Sequence, residues 1–282
     1  LVESQFLMQR IGIVVPTTPE QGPLLALLEQ FTGTQPQASK QRIWQIYRVE
    51  MGNLLISIVH SGPGMVNAGA ATEALIAYEE PEMLLNYGIA GAHTHEALPG
   101  DIIIATHVCA PFNGYLQTGG ILQSAFGIRW DDEGAEVFSQ RVTQRFSTLP
   151  CEPALVALAL QAAQVLAEEH TMTIVAPPGQ KVRPTRIFSG VISSSDTYCR
   201  DEATFAHIHT TFGSLSEDME SAAVGQMAAR HGLPFAIIRC LSNNDLLEVL
   251  TLERKQLIYP EMARRSALVT ARLLQLLAQA NQ

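Results

Sequence analysis

The sequence predicts an α/β fold whose sheet contains parallel strands, and three observations predict it. Four apolar runs without polar alternation, at residues 10–16 (RIGIVVP), 83–92 (MLLNYGIAGA), 101–108 (DIIIATHV) and 235–241 (FAIIRCL), read as strands covered on both faces. Alanine- and leucine-rich stretches of helical length separate them, and parallel neighbours need such crossovers. The 282 residues, 47% hydrophobic and only 16% charged, supply one large core, and no Pro/Ser/Gly-rich linker cuts the chain.

Residues 10–16 are β-branched and stopped by proline, which fits a buried strand. A helix is expected directly after it, with Thr18 as cap, Pro19 at the first helical position, Gln21 three residues after the cap, and then the apolar LLALL of 24–28. Residues 43–49 and 53–60 read as two strands joined at Met51 and Gly52; the second runs into Ser61-Gly62-Pro63-Gly64 and an alanine-rich helix over 65–78. Beyond the strands at 83–92 and 101–108, residues 111–150 are polar and weakly periodic and are assigned to excursions around the sheet. A helix over 153–168, a strand over 184–193, helices near 201–209 and over 219–231, the strand at 235–241 and a terminal helix over 258–280 complete the order. Met8 stands just before the first strand, so a single domain is expected over 8–282, with 1–7 as an N-terminal extension.

With 18 basic and 27 acidic side chains the formal charge is −9, which argues against a nucleic-acid coat or a polybasic membrane anchor. The sequence contains neither 18 consecutive apolar residues nor a basic-then-apolar leader, so a cytoplasmic protein without membrane contact is expected. Cys109, Cys151, Cys199 and Cys240 are scattered without a CxxC pair and read as reduced, mostly buried thiols. His93 and His95 are two apart, as are His207 and His209, rather than the four of a helical metal pair, so no metal is expected.

Ligands of α/β sheets sit at the carboxyl ends of strands. Four such ends carry polar or small clusters: residues 17–20, 61–64 with 88–91, 193–198 and 242–245; a fifth cluster, Glu217-Asp218-Met219-Glu220, is expected to open a helix. Each also has a plain explanation. Glu20 and the acidic run suit the positive end of a helix dipole, and Ser242-Asn243-Asn244-Asp245 suits a turn. The SGPG loop suits an anion at a helix N-terminus, but glycines 62, 64 and 69 miss the spacing of a dinucleotide fold.

Taken in order, RIGIVVPTTPE, HSGPGMVNAGAA, LNYGIAGA followed by PGDIIIA, SSSDTY, EDMESAA and IIRCLSNND resemble the motifs of the nucleoside phosphorylase and nucleosidase superfamily over nearly the whole chain. The resemblance implies an α/β/α sandwich around a mixed, mostly parallel sheet. It also implies a homo-oligomer (a dimer first, a trimer or hexamer as alternatives), a small-molecule nucleoside as ligand, no cofactor, and cleavage of the ribose C1′–base bond by water or phosphate. Such a site must hold the sugar, polarise the base and present a nucleophile, because positive charge develops on the sugar. On matching positions, Glu220 would bind the ribose hydroxyls, with Met219 beneath the sugar and Asp218 in the same motif. Tyr198 would stack on the base, the Cys199 backbone would read its edge, and Asn243 would bond N7 and the neighbouring exocyclic group. Gly62, Ile89, Ala90 and Gly91 complete the implied substrate-binding set.

Departures from the family pattern sharpen the expectation. Asn243 stands where the methylthioadenosine/adenosylhomocysteine nucleosidases have an aspartate; an amide donates a hydrogen bond but cannot serve as the acid. A 6-oxopurine such as hypoxanthine is therefore expected, with Asp245 as a further catalytic candidate. The family's phosphorylases carry arginines after the first strand and before the strand-end glycine, whereas Pro16-Thr17-Thr18-Pro19-Glu20 and Asn86-Tyr87 supply none. Glu20 falls where the family's nucleosidases keep the carboxylate that deprotonates water, which implies hydrolysis. GIAGA, DMESAA and LSN together most resemble the futalosine hydrolases, although DLLEVL replaces the stretch in which that group carries an arginine. The alternatives are a phosphate-dependent phosphorylase, a methylthioadenosine/adenosylhomocysteine nucleosidase, and a nucleoside-binding protein of the same fold without turnover.

Overall fold

The computed structural model describes residues 8–116, 122–125, 128–131, 143–169 and 183–280. The expected extension at 1–7 and part of the expected excursion over 111–150 lie outside the described residues. The first half of the chain gives β1 (Gln9–Val15), α1 (Thr18–Thr32), β2 (Gln37–Gln41), β3 (Trp44–Met51), β4 (Leu54–His60), α2 (Met65–Glu79), β5 (Met83–Ala92) and β6 (Ile102–Cys109). Four short strands follow, β7 (Gly114–Leu116), β8 (Leu122–Ala125), β9 (Ile128–Asp131) and β10 (Thr143–Phe146), paired as two small hairpin sheets. The remainder gives β11 (Leu149–Pro150), α3 (Pro153–Glu168), β12 (Ile187–Ser194), α4 (Glu202–Phe212), β13 (Ser214–Asp218), α5 (Ser221–Arg230), β14 (Phe235–Asn243) and α6 (Leu252–Ala280).

Ten strands form one mixed sheet. β4, β1, β5 and β14 run parallel, with Ile11 beside Ile56 on one side and Met83 on the other, and β3 and β2 extend that half antiparallel. The other half closes on itself. β14 pairs antiparallel with β6, β6 and β13 flank β12 in parallel, and β13 returns antiparallel to β5, so five strands form a ring without a free edge. β5 belongs to both halves. One of its edges pairs with β1 at residues 83–86 and with β13 only at Gly91 and Ala92, which leaves the stretch between open to groups from elsewhere.

Helices cover both faces. α1 and α3 each pack on α6 on one side, while α2 and α5 pair on the other, giving the expected three layers. β14 is buried at every position from Phe235 to Asn243, its polar members Arg239, Ser242 and Asn243 included. The four cysteines are free and buried. Among the described residues, no helix is long and apolar enough to cross a membrane.

Local differences from the sequence expectation have physical reasons. The cap of α1 is Thr17, not Thr18, because Thr17 keeps an extended backbone (φ −133°, ψ 157°) and its hydroxyl turns to the Glu20 side chain instead of a backbone N–H. The acidic run does not open a helix: residues 214–218 form β13, and α5 begins at Ser221. Its buried positions are Ser214, Ser216 and Asp218, so a hydrophobic pattern could not reveal the strand. β2, of sequence QASKQ, is an edge strand and equally polar. The last helix starts at Leu252, six residues before the expected 258, and carries Pro260 within it.

Candidate active site

Glu20 lies in the first turn of α1 yet is only 3% exposed, which excludes a merely solvated dipole partner. Its Oε2 accepts from the Thr17 hydroxyl at 2.5 Å and its Oε1 from the Ile89 N–H at 2.9 Å, in the open stretch of the β5 edge. The buried Tyr87 hydroxyl donates to the Glu20 carbonyl at 2.6 Å and fixes the turn from beneath. Gly88 is glycine for a steric reason: a Cβ there would stand 2.3 Å from Glu20 Oε1. Burial pushes the Glu20 carboxyl above its usual pKa, against the hydrogen bonds from Thr17 and Ile89 and the field of Arg239.

The second carboxylate is Glu220, 4% exposed, just ahead of α5. Its Oε1 accepts from the Gly64 N–H at 3.0 Å, at the start of α2. Gly64 caps that helix at φ 102°, a conformation that side-chain-bearing residues avoid. The next N–H of α2, from Met65, donates to Asp196 Oδ1 at 2.8 Å. These two N–H groups of the SGPG helix, expected as an anion cradle, are thus given to the chain's own carboxylates. Burial, then the charge of Asp218, push Glu220 up to about 7, with Glu20 adding to the rise.

Arg239 joins these groups. It is fully buried in the middle of β14. Its Nε donates to Asp218 Oδ2 at 2.8 Å, its Nη2 donates to Asn86 Oδ1 and lies 3.9 Å from Glu220 Oε2, and its Nη1 donates to the Ile238 carbonyl. Asp218 is held further by the Ser194 hydroxyl at 2.5 Å, the Ser221 hydroxyl, and the N–H groups of Glu220 and Ser221. With this many donors around it, the buried Asp218 carboxylate is fixed in place as the partner of Arg239.

A second cluster surrounds the loop after β14. Asn243 is 5% exposed; its Nδ2 donates to Asp245 Oδ1 at 2.9 Å and its Oδ1 accepts from Ser242 Oγ at 2.8 Å. A Cβ on Gly91 would lie 3.3 Å from that Nδ2, so Gly91 lets the amide lie against β5. The Ala90 carbonyl, 3.2 Å from the Ser242 hydroxyl, is the alternative acceptor for its single proton. Tyr198 is half exposed, hydrogen-bonded to Tyr259 and flanked by Arg200 at 5.2 Å and Lys255 at 5.3 Å from its ring centre. Arg200 Nε lies 3.5 Å from Asp245 Oδ2 and so links Tyr198 to Asn243.

The expected residues therefore gather in two adjoining groups: Glu20, Ile89, Asp218 and Glu220 around Arg239, and Ala90, Gly91, Tyr198, Asn243 and Asp245 around the β14 loop. Gly88 and Gly91 connect them along β5, roughly 10 Å apart at strand rise. Gly62 sits at φ 83° in the loop that delivers Gly64, and Met219 is half-buried between Asp218 and Glu220. The Cys199 side chain is turned away, its Sγ donating to the Asp201 carbonyl at 3.8 Å. His93 packs on Phe205 at 4.8 Å between ring centres, and among the described residues no three His, Cys, Asp or Glu side chains are placed to hold a metal.

Sequence reasoning assigned no individual role to Asn86, Ser194, Asp196 or Arg239. The available signal was an arginine within FAIIRCL, because a charge in a fully buried strand demands a buried partner.

Comparison with known proteins decides the family. A sequence model described as the phosphorylase superfamily matches residues 10–275. The chain belongs to the phosphorylase superfamily. It is 30% identical over 237 residues to a 5′-methylthioadenosine/S-adenosylhomocysteine nucleosidase of Treponema pallidum, covering 82% of each chain. The fold matches that of futalosine hydrolase from Helicobacter pylori at TM-score 0.71 and 19% identity, covering 95% of this chain and 98% of that one. It also matches a Neisseria meningitidis 5′-methylthioadenosine/S-adenosylhomocysteine nucleosidase in complex with methylthio-immucillin-A, at TM-score 0.70 and 21% identity, over 95% of this chain and 99% of that one. Within the phosphorylase superfamily, then, this chain carries Glu20 on the loop where the sequence offers no phosphate-binding arginine.

Proposed function

We propose that this protein is a purine nucleosidase that cleaves the N-glycosidic bond of a 5′-substituted nucleoside with water. The observation that carries the reading is the buried Glu20 carboxylate, held from two sides by Thr17 and Ile89 and raised in pKa, a base for one water molecule. In the reaction the water oxygen bonds to C1′ and its proton passes to Glu20. The C1′–N9 bond breaks, its electron pair goes to the base, and the departing base takes a proton from solvent. Glu220 holds the ribose hydroxyls and places negative charge near the developing oxocarbenium ion; Tyr198 stacks on the base and the Asn243 amide donates to N7.

Charge supports water over phosphate. Three carboxylates share the buried site with one arginine that Asp218 already engages, and the α2 N–H groups of Gly64 and Met65 are occupied. A phosphate dianion would meet repulsion from Glu20 and Glu220 without, among the described residues, a free cation beside them. The names of the relatives, methylthioadenosine/adenosylhomocysteine nucleosidase and futalosine hydrolase, support the same reaction. The test is chromatographic detection of free base from a panel of adenine and hypoxanthine nucleosides, with and without phosphate. Release without phosphate is expected, and release only with phosphate, as ribose 1-phosphate, would overturn the hydrolytic assignment.

The homo-oligomer belongs to the same proposal. A groove of about 410 Å³ between α2 and α5, lined by Met65, Val66, Ala223 and Met227, begins one residue beyond Gly64, and Val66 is 80% exposed in it. A second copy seated there would adjoin the Glu220 loop. Light scattering is expected to give at least twice the 30.7 kDa chain mass.

A further inference from the structure

Thr17 and Glu20 are the first and last residues of a T-x-x-E run at the start of α1, the sequence of a capping box. In that motif the threonine hydroxyl accepts from the backbone N–H three residues on. Here it does not: the cap makes no side-chain hydrogen bond, and the N–H groups of Glu20 and Gln21 donate to the Thr17 carbonyl at 3.1 and 3.0 Å. The hydroxyl turns to the Glu20 side chain and donates to Oε2 at 2.5 Å, the length of a charge-assisted O–H···O⁻ bond. Helix stability alone would favour the capping bond, so capping does not account for the arrangement.

Glu20 is enclosed from every other side. From β5 the Ile89 N–H donates to Oε1 at 2.9 Å and the Tyr87 hydroxyl donates to the Glu20 carbonyl. From β14 comes the charge of Arg239, already committed to Asp218, and from the loop ahead of α5 the like charge of Glu220. Burial raises the Glu20 carboxyl; first among the influences against it is the Thr17 hydroxyl, ahead of the Ile89 N–H, the Arg239 charge and the Thr17 N–H. The last three survive any side chain at position 17 that keeps its N–H, whereas the first needs a hydroxyl. A base buried this deeply works only while it is unprotonated.

We infer that Thr17 is a positioning residue of the reaction: its hydroxyl, withdrawn from capping α1, fixes the orientation of the Glu20 carboxylate and favours the unprotonated form that can take a proton from water. This rests on the nucleosidase reading, with Glu20 as the base. Thr17 and Ile89 place one donor on each carboxylate oxygen, which leaves lone pairs for the water. Valine at this position keeps the branched shape and the backbone but removes the donor, so Glu20 holds its proton to higher pH. Serine keeps the donor.

The experiment follows kcat/KM against pH in wild type, Thr17→Val and Thr17→Ser, on whichever of adenosine, inosine and 5′-methylthioadenosine wild type cleaves fastest; this ratio reports the free enzyme. The acid limb of Thr17→Val is expected at higher pH than that of wild type, with a loss of about tenfold or more on the limb, the size of a lost hydrogen bond to a charged group, narrowing toward the alkaline plateau. Thr17→Ser should keep the wild-type limb. A limb left in place in Thr17→Val, whether or not the rate falls at every pH, or an equally displaced limb in Thr17→Ser overturns the inference while leaving the nucleosidase reading standing. If no nucleoside is cleaved, that reading fails, and difference infrared spectroscopy decides the inference by itself: the protonated-carboxyl band that Glu20→Gln removes should persist to higher pH in Thr17→Val than in wild type, and an equal pH refutes it. Should Thr17→Val fail to fold, Thr17→Ala, which also lacks the hydroxyl, takes its place with the same expectations.

Discussion

Gly88→Ala isolates the fit between β5 and Glu20. Gly88 is not among the residues with positive φ, so alanine meets no backbone strain and the whole effect comes from its methyl group. That Cβ would stand 2.3 Å from Glu20 Oε1 and 3.1 Å from its Cδ, about 1 Å short of ordinary contact with the oxygen. The carboxylate must move by that distance, because the other party is backbone paired on β14 through Arg239. Movement breaks the 2.9 Å bond from Ile89, a hydrogen bond to a charged group worth about 1.5–3 kcal/mol. Part of that is recovered, since a displaced Glu20 is less desolvated, so the net cost should be about 1–2 kcal/mol, or a few degrees in Tm for a chain this size. Activity should fall much further. A misplacement of about 1 Å costs on the order of 100-fold in rate, which steady-state base release would read as lower kcat with little change in KM. G88A turning over within threefold of wild type would refute the placement of the base at this edge.

Three further outcomes follow from the buried charges and the exposed ring. Glu220 binds its proton more tightly folded than unfolded, so its contribution to stability is full below 4.5 and is lost as pH rises through about 7. Glu220→Gln should therefore gain Tm over wild type progressively between those values and hold the gain above them; a gap independent of pH would contradict the burial argument. Arg239→Met leaves Asp218 buried without its cation and should cost about 3–5 kcal/mol in denaturant unfolding, part of which Asp218→Asn should restore in the double variant. Tyr198→Ala should raise KM by roughly 10-fold or more with little change in Tm, since stacking on a base is worth about 1–3 kcal/mol and the ring is half exposed. An equal loss in Tyr198→Phe would point instead to its bond with Tyr259.

The strands most legible in the sequence are those buried along nearly their whole length. β5, β6 and β14 are predominantly apolar runs without polar alternation, so their assignment needs no tertiary information. β13 was hidden because its inward positions are Ser214, Ser216 and Asp218, polar residues of which Ser214 bonds to the Ser193 hydroxyl and Asp218 to the Ser194 hydroxyl. Family motifs disclosed Glu20 and Glu220 but not what holds them. Ile89 acts through its backbone N–H, Gly64 likewise, and Arg239 through a partner 21 positions earlier in the chain, none of which has a local signature.

The charge count of the first cluster links its stability to its chemistry. Arg239 is the fully buried cation among Glu20, Asp218 and Glu220, and it is committed to Asp218 at 2.8 Å, against 3.9 Å from Glu220. The two glutamates receive only the remainder of its field, and both are raised. Glu220, raised to about 7, therefore retains part of a proton near neutrality that a sugar with growing positive charge would displace. In the proposed reaction that unmet negative charge is greatest in its stabilising effect when C1′ is most cationic, which lowers the barrier more than it tightens ground-state binding. A second arginine beside Glu20 would relieve the empty protein, lowering both pKa values, and would weaken that differential.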